Sequence, residues 1–189
     1  MTGTGLKQIA RTAEAPFGSI YHFFPGGKAQ LAEESIRTSG RQFGEYAMSI
    51  FAAHADLPTA IEAALRTAAE NLVAAAYADA CPFETIALEV SSTDETLRIA
   101  CADVFTEWID NGVRHFAHTR LPSPVCRSLV IGFVTGPEGA FVLSRALRST
   151  EPLAAAGRMM LLAVRAELAE RGTASLPVQE PAALTTMTE

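Results

Sequence analysis

Apolar positions recur along almost the whole chain at helical rather than alternating spacing. The first set, Leu6, Ile9, Ala10 and Ala13, forms one stripe, and Thr4 stands where it can cap a helix running to about Ala13. Pro16 suits the first turn of a second helix to about Phe24, because its missing N–H would be unpaired there anyway. Ile20 and Phe24, spaced i and i+4, face inward with Phe23 as a third candidate, which leaves Tyr21 and His22 pointing elsewhere. Pro25-Gly26-Gly27 then stops this helix and Lys28 opens a long one carrying Leu31, Ile36, Phe43, Ala47 and Ile50 or Phe51. Gly40 and Gly44 weaken its middle and allow a bend.

Further helices follow at about 58–78, 83–89, 94–118, 125–147 and 152–171. Asp94 caps the third of these, and Ser149-Thr150-Glu151-Pro152 reads as a capped start for the last. The helix at 125–147 is apolar almost all round and holds Pro137, which removes a backbone hydrogen bond and predicts a kink. From Thr173 onward, Thr, Ala and Pro lose all periodicity, and the segment reads as a disordered tail. The expectation is an all-α protein with no internal repeat.

Charge adds an asymmetry. The net charge of the 189 residues is −6, but residues 1–28 hold Lys7, Arg11 and Lys28 against Glu14 alone, a net +2 that leaves −8 for the remainder. A basic head on an acidic body suits a phosphate-contacting end joined to a body that avoids phosphates. Three cysteines at wide spacing, Cys81, Cys101 and Cys126, read as reduced thiols. With no leader and no apolar run judged long enough to span a bilayer, the expected location is the cytoplasm, with no membrane partner.

Two short helices joined by a tight turn outline a helix-turn-helix reader of double-stranded DNA. Thr4, Tyr21, His22 and Lys28 are candidates for phosphate contacts. Lys28 leads, since it combines a charge with a helix start. Base edges would be met by Phe17, Gly18 and Ser19 early in the second helix, with Gly18 allowing close backbone approach.

Leu6-Lys7-Gln8-Ile9-Ala10, Gly18-Ser19-Ile20-Tyr21-His22-Phe23-Phe24-Pro25-Gly26-Gly27-Lys28 and Leu31 resemble the DNA-binding domain of the TetR family of bacterial transcriptional regulators. The Phe-Pro-Gly-Gly-Lys form, with Cys81-Pro82 and Arg148-Ser149-Thr150-Glu151-Pro152-Leu153, resembles its LmrA/YxaF-like subgroup. The resemblance implies a homodimer, a palindromic operator, a helical body that binds a small effector, and release from DNA when the effector binds. It divides the chain into a DNA-binding head at 1–40, a ligand-binding and dimerisation body at 41–172, and the tail at 173–189. Three departures stand out. Only Met1-Thr2-Gly3 precede Thr4, where the family has another helix, so the expectation is that Met1 is internal to a longer gene product. Glu14 stands where a turn glycine is usual, and Phe17 where a polar or basic residue is common.

In the body, Leu153, Met160, Val164 and Leu168 are the expected dimer contacts, with plain intramolecular core as the alternative. Such a dimer would set two reading helices about 34 Å apart, matching successive major grooves. Phe83, Ile86, Phe105, Trp108, Phe133 and Phe141 are expected to line an apolar effector cavity. Thr135 and Glu138 would supply its polar contacts, with Arg98, Arg114 or a cationic ligand as the partner for the carboxylate. No cofactor motif, nucleophile elbow or phosphate loop appears, and His115, His118 and Asp110 make only a loose echo of a metal site. The leading reading is a ligand-responsive repressor and not an enzyme. The alternative is a helical small-molecule-binding or interaction protein whose shortened head does not grip DNA.

Overall fold

Helix α1 (Leu6–Thr12) and helix α2 (Phe17–Phe23) are each only seven residues long. They are followed by α3 (Gly27–Ala52), α4 (Leu57–Ala74), α5 (Pro82–Val90), α6 (Glu95–His115), a 3-10 turn at Phe116–Thr119, α7 (Ser123–Leu147) and α8 (Glu151–Glu170). This computed structural model describes residues 5–78, 82–119 and 121–170, and no strand occurs among them. The expected cap Thr4, residues 79–81 of the expected break, and the expected tail at 173–189 lie outside the described residues.

The helix starts follow the side-chain chemistry. Asp56 Oδ1 accepts the Thr59 amide at 2.9 Å, and Asp94 Oδ1 accepts the Leu97 amide at 3.0 Å. Ser149 Oγ accepts the Glu151 amide at 3.1 Å. At the head of α3, the Gln30 side chain reaches back to the Gly26 amide at 2.8 Å. Helix α1 begins instead at Gly5, with no side-chain cap.

Several helix ends use left-handed residues that are not glycine. Glu14 has φ 51°. The Ala15 amide donates to the Ala10 carbonyl at 2.9 Å and the Glu14 amide to Arg11 at 3.2 Å, the paired bonds of a Schellman stop. The same bonds close α4, from Tyr77 to Leu72 and Ala76 to Val73, both at 2.9 Å, with Ala76 at φ 49° and Tyr77 at φ 58°. Helix α4 therefore ends at Ala74, four residues before the sequence-based expectation of 78.

The chain forms two compact units. One holds the described residues of Met1–Gly44 and Cys81–Trp108, and the other those of Glu45–Ala80 and Ile109–Glu189. Helices α3 and α6 each pass from one into the other without a break.

In the first unit, Gly40 and Gly44 do not merely soften α3. A Cβ at Gly40 would lie 2.5 Å from Val104 and 2.7 Å from Phe83, and one at Gly44 would lie 2.7 Å from the Trp108 ring. The glycines let α5 and α6 pack onto α3. The Trp108 indole N–H donates to the Gly40 carbonyl at 2.8 Å, and Arg37 bridges Glu33 (3.1 Å) and Asp103 (2.8 Å).

In the second unit, α8 packs on α4 and α7. Gly157 gives room to Leu65, whose Cδ1 would stand 2.8 Å from an added Cβ. Phe51, Ile61, Leu65, Val130, Val164 and Leu168 belong to its main buried cluster. Pro137 lies inside α7, which is 25 residues long. An 18-residue window of α7 has mean hydropathy 1.3, so by length and composition it does match a bilayer span, contrary to the sequence-based expectation. Only 17 % of that window is buried.

Two substitutions test this account. Gly40→Ala should destabilise by about 1–3 kcal/mol through overpacking against Val104 and Phe83, despite the better helix propensity of alanine. Glu14→Gly should raise stability by about 1 kcal/mol by removing a left-handed non-glycine residue. Thermal and urea unfolding monitored by circular dichroism measure both.

Candidate nucleic-acid interface and effector body

In the head, α1 and α2 pack on each other. Ala10 and Ile20 are buried, while Leu6, Ile9 and Phe24 are half-buried. Phe23 is corrected from the inward face to the surface, at 68 % exposed. At i+3 from Ile20, Phe23 could share its side of the helix by spacing alone, so its exposure reflects how little of this two-turn helix is covered by other elements.

The outer face of α2 carries Phe17, Gly18, Tyr21 and His22, all exposed. Phe17 and Tyr21 meet edge to face at 5.8 Å between ring centres, and the His22 ring lies 4.9 Å from Phe23. Ser19 is half-buried and its hydroxyl donates to the Pro16 carbonyl at 2.6 Å, closing the first turn of the helix. A Cβ at Gly18 would meet nothing within 4 Å, so this glycine is not demanded by the chain's own packing. Lys28 is half-buried at the second position of α3, and Gly27 before it adopts φ 67° beside the Tyr21 ring. Lys7 and Arg11, exposed on one face of α1 at i and i+4, join the basic surface of the head. Sequence reading counted their charge but did not place them in the site.

The eight expected effector contacts fall four in each unit. In the first, Phe83 meets Phe105 at 5.3 Å and Trp108 at 5.1 Å, and Phe43 meets Trp108 at 5.3 Å. Ile86 is half-buried on α5. These rings fill one another's space as an aromatic core. In the second unit, Phe133 packs edge-on against Phe51 at 4.9 Å and lines an apolar cavity of about 20 Å³ with Phe116, Cys126 and Met160. That volume holds about one water, far below the ~300 Å³ of a ligand site. Phe141 packs on Leu72, Ala140 and Leu153. Thr135 is exposed and its hydroxyl donates back to the Ile131 carbonyl at 3.0 Å, while Glu138 is half-buried beside Pro137. Of the arginines considered for Glu138, Arg98 pairs with Glu95 at 2.7 Å and Arg114 bonds Asn111.

The four expected dimer contacts sit within the second unit's own packing. Leu153 and Val164 are each 1 % exposed, Leu168 is buried, and Met160 packs on the same core. The apolar side chains left at the surface of α7 and α8 are others: Val142, Leu143, Leu147, Met159 and Leu162 are each more than half exposed.

The echo of a metal site does not assemble. Asp110 pairs with Arg127 at 2.8 Å, and His118 Nδ1 lies 2.7 Å from the His115 carbonyl. No group of three or more His, Cys, Asp or Glu side chains gathers as a metal site among the described residues. Burial, with the neighbouring His118, lowers the His115 pKa below the ordinary histidine value, and burial raises both Cys101 and Cys126. Those two thiols are neutral, buried side chains and not poised nucleophiles.

Comparison with known proteins agrees with this architecture. The family model "Transcriptional regulator LmrA/YxaF-like, C-terminal domain" matches residues 58–159. An uncharacterised HTH-type transcriptional regulator of Mycobacterium tuberculosis (strain ATCC 25618 / H37Rv) is 28 % identical over 173 residues, covering 89 % of this chain and 87 % of its own. The HTH-type transcriptional regulator LmrA of Bacillus subtilis (strain 168) is 29 % identical over 154 residues, 80 % of each chain. The crystal structure of the reduced form of NemR from E. coli superposes with a TM-score of 0.61 at 21 % identity, over 84 % of this chain and 85 % of that one, and so shares the fold. The chain belongs to the LmrA/YxaF-like transcriptional regulators of the TetR family.

Proposed function

We propose that this protein is a ligand-responsive, dimeric repressor, read from its outward-facing α2. Among the exposed side chains of that helix are the aromatic Phe17 and Tyr21 and the imidazole of His22. The cationic Lys28 follows at the second position of α3, and Lys7 and Arg11 are exposed on α1. The surface carries groups for the groove floor and groups for the phosphates on either side. Residues 1–40 act as the DNA-binding head and 41–172 as the effector-binding and dimerisation body. The protein works in the cytoplasm on a double-stranded operator.

Effector binding in the body, around residues such as Phe133, Thr135, Glu138 and Phe141 or the aromatic group Phe83, Ile86, Phe105 and Trp108, would weaken operator binding. The coupling expected of such a device is ~1–3 kcal/mol, or about 5–150-fold in affinity. The effector site must open beyond the small cavity described above, and apolar or amphipathic small molecules fit its lining. Dimerisation uses the exposed apolar side chains of α7 and α8, which also accounts for an apolar helix so poorly covered by its own chain.

Titration of the full chain against fluorescent duplexes upstream of its own gene tests the reading. Specific binding should weaken steeply with salt, and Lys28→Ala should reduce the salt slope by about one. Absence of any specific duplex binding by the full-length gene product would leave only the ligand-binding alternative. Gly18→Ala, which meets no neighbour in the folded chain, should leave melting unchanged or raise it by about 0.5–1 kcal/mol of stability while weakening DNA binding. Leu162→Glu should raise the dimer dissociation constant about 30-fold or more, equivalent to about 2 kcal/mol, measured by sedimentation equilibrium.

A further inference from the structure

From Ala15 to Pro25 the chain contains no Arg, Lys, Asn, Gln, Asp or Glu. Those six side chains make the paired hydrogen bonds by which proteins usually distinguish bases in the major groove. The reading helix has none of them. The Ser19 hydroxyl proton is already donated to the Pro16 carbonyl. His22 can contact one base atom but has no second donor or acceptor in a fork.

The remaining large feature of the outer face is apolar. Phe17 is 42 % exposed in the first turn, and the Tyr21 ring, 51 % exposed, backs it with a tilt of 79° between ring planes. The edge-to-face contact at i and i+4 holds the Phe17 ring in one orientation. Gly18 places no side chain beside it, so the ring can approach a flat surface without obstruction. Because the two rings touch, they present one contiguous apolar surface and not a scattered side chain, and contiguous apolar surface suits contact with an apolar group. The apolar group that the major groove displays is the 5-methyl of thymine.

We propose that Phe17, braced by Tyr21, reads the 5-methyl group of a thymine in each operator half-site, so that apolar contact sets specificity at that position. The inference rests on the DNA-binding role of α2 proposed above and names the chemistry by which that helix selects its site. Tyr21 is a positioning residue for the contact, with its hydroxyl left for a phosphate oxygen. Base pairs that present no methyl group at that position, G·C and C·G, are rejected because they offer Phe17 no apolar surface.

The test begins by selecting duplexes from a random library with the full-length chain. Each thymine of the selected site is then replaced singly by deoxyuridine, which removes the methyl and keeps every hydrogen-bonding atom. Affinity is read by fluorescence anisotropy. Wild type should lose about fourfold at one thymine per half-site, the worth of one buried methyl-sized group. Phe17→Ala should show no such loss there, while Phe17→Leu, which keeps apolar contact, should retain it. Circular dichroism melting establishes that both variants are folded. If deoxyuridine is neutral at every thymine of a tightly bound site, or if the loss persists in Phe17→Ala, the inference is wrong while the DNA-binding role stands. If wild type selects no site, the DNA-binding role has failed and the inference falls with it.

Discussion

A helix of seven residues does not hold itself together in water. Nucleating the first turn fixes several dihedral angles for a single hydrogen bond, and α2 is over before propagation can repay that entropy. Its shape must come from its neighbours. Ile20 is buried, α1 ends in the Schellman stop at Glu14 just before α2, and Ser19 closes the first turn onto Pro16. At the other end, Gly27 takes a left-handed conformation beside Tyr21, which sets where α3 begins and so where Lys28 stands. The surface proposed to read DNA is the outside of a helix anchored inside by Ile20. This is why its exposed side chains have well-defined directions despite its length.

The same dependence on close contact runs through both units. Glycines on α3 and α8 stand where large side chains from other helices press closest: Val104, Phe83 and Trp108 onto α3, and Leu65 onto α8. Each contact substitutes side-chain packing for a local helix propensity that glycine lowers by up to about 1 kcal/mol. Of the aromatic side chains singled out as effector contacts, Phe83, Phe105, Trp108 and Phe133 are already engaged with other rings in this structure, and Phe141 packs on Leu72, Ala140 and Leu153. An effector would therefore displace packed side chains and not fill a large vacant space. A body that must repack to bind is also one whose binding can be felt elsewhere, because packed interiors shift between discrete arrangements and do not deform smoothly.

Much of the architecture is legible in the chain. The helical period, the Pro25-Gly26-Gly27 stop, and the caps at Asp94 and Ser149 all follow from local chemistry that needs no tertiary information. Less legible are features where a neighbour overrides the local rule. Helix α4 stops at Ala74 although alanines continue, because its end is closed by left-handed Ala76 and Tyr77, held by the Arg145 and Arg148 side chains on the carbonyls of Ala78 and Ala76. Phe23 shares the apolar character of Ile20 and Phe24 and yet lies outside, since composition does not say which apolar residue a two-turn helix leaves uncovered.

The sequence by itself determined that the protein is helical, that its ends differ in charge, and that a short helix resembling the TetR reading helix sits near residue 20. Those properties depend on spacing and on residue type within a few positions of each other. Only the tertiary structure decided which apolar side chains become core and which remain free. Leu153, Val164 and Leu168 carry the same chemistry as Leu143, Met159 and Leu162, and the periodicity of α7 and α8 includes both sets. Packing among α4, α7 and α8 consumes the first set and leaves the second at the surface. On α2 the same selection buries Ile20 and turns Phe17 and Tyr21 outward. That choice depends on contacts among residues distant in the chain, which no local pattern records.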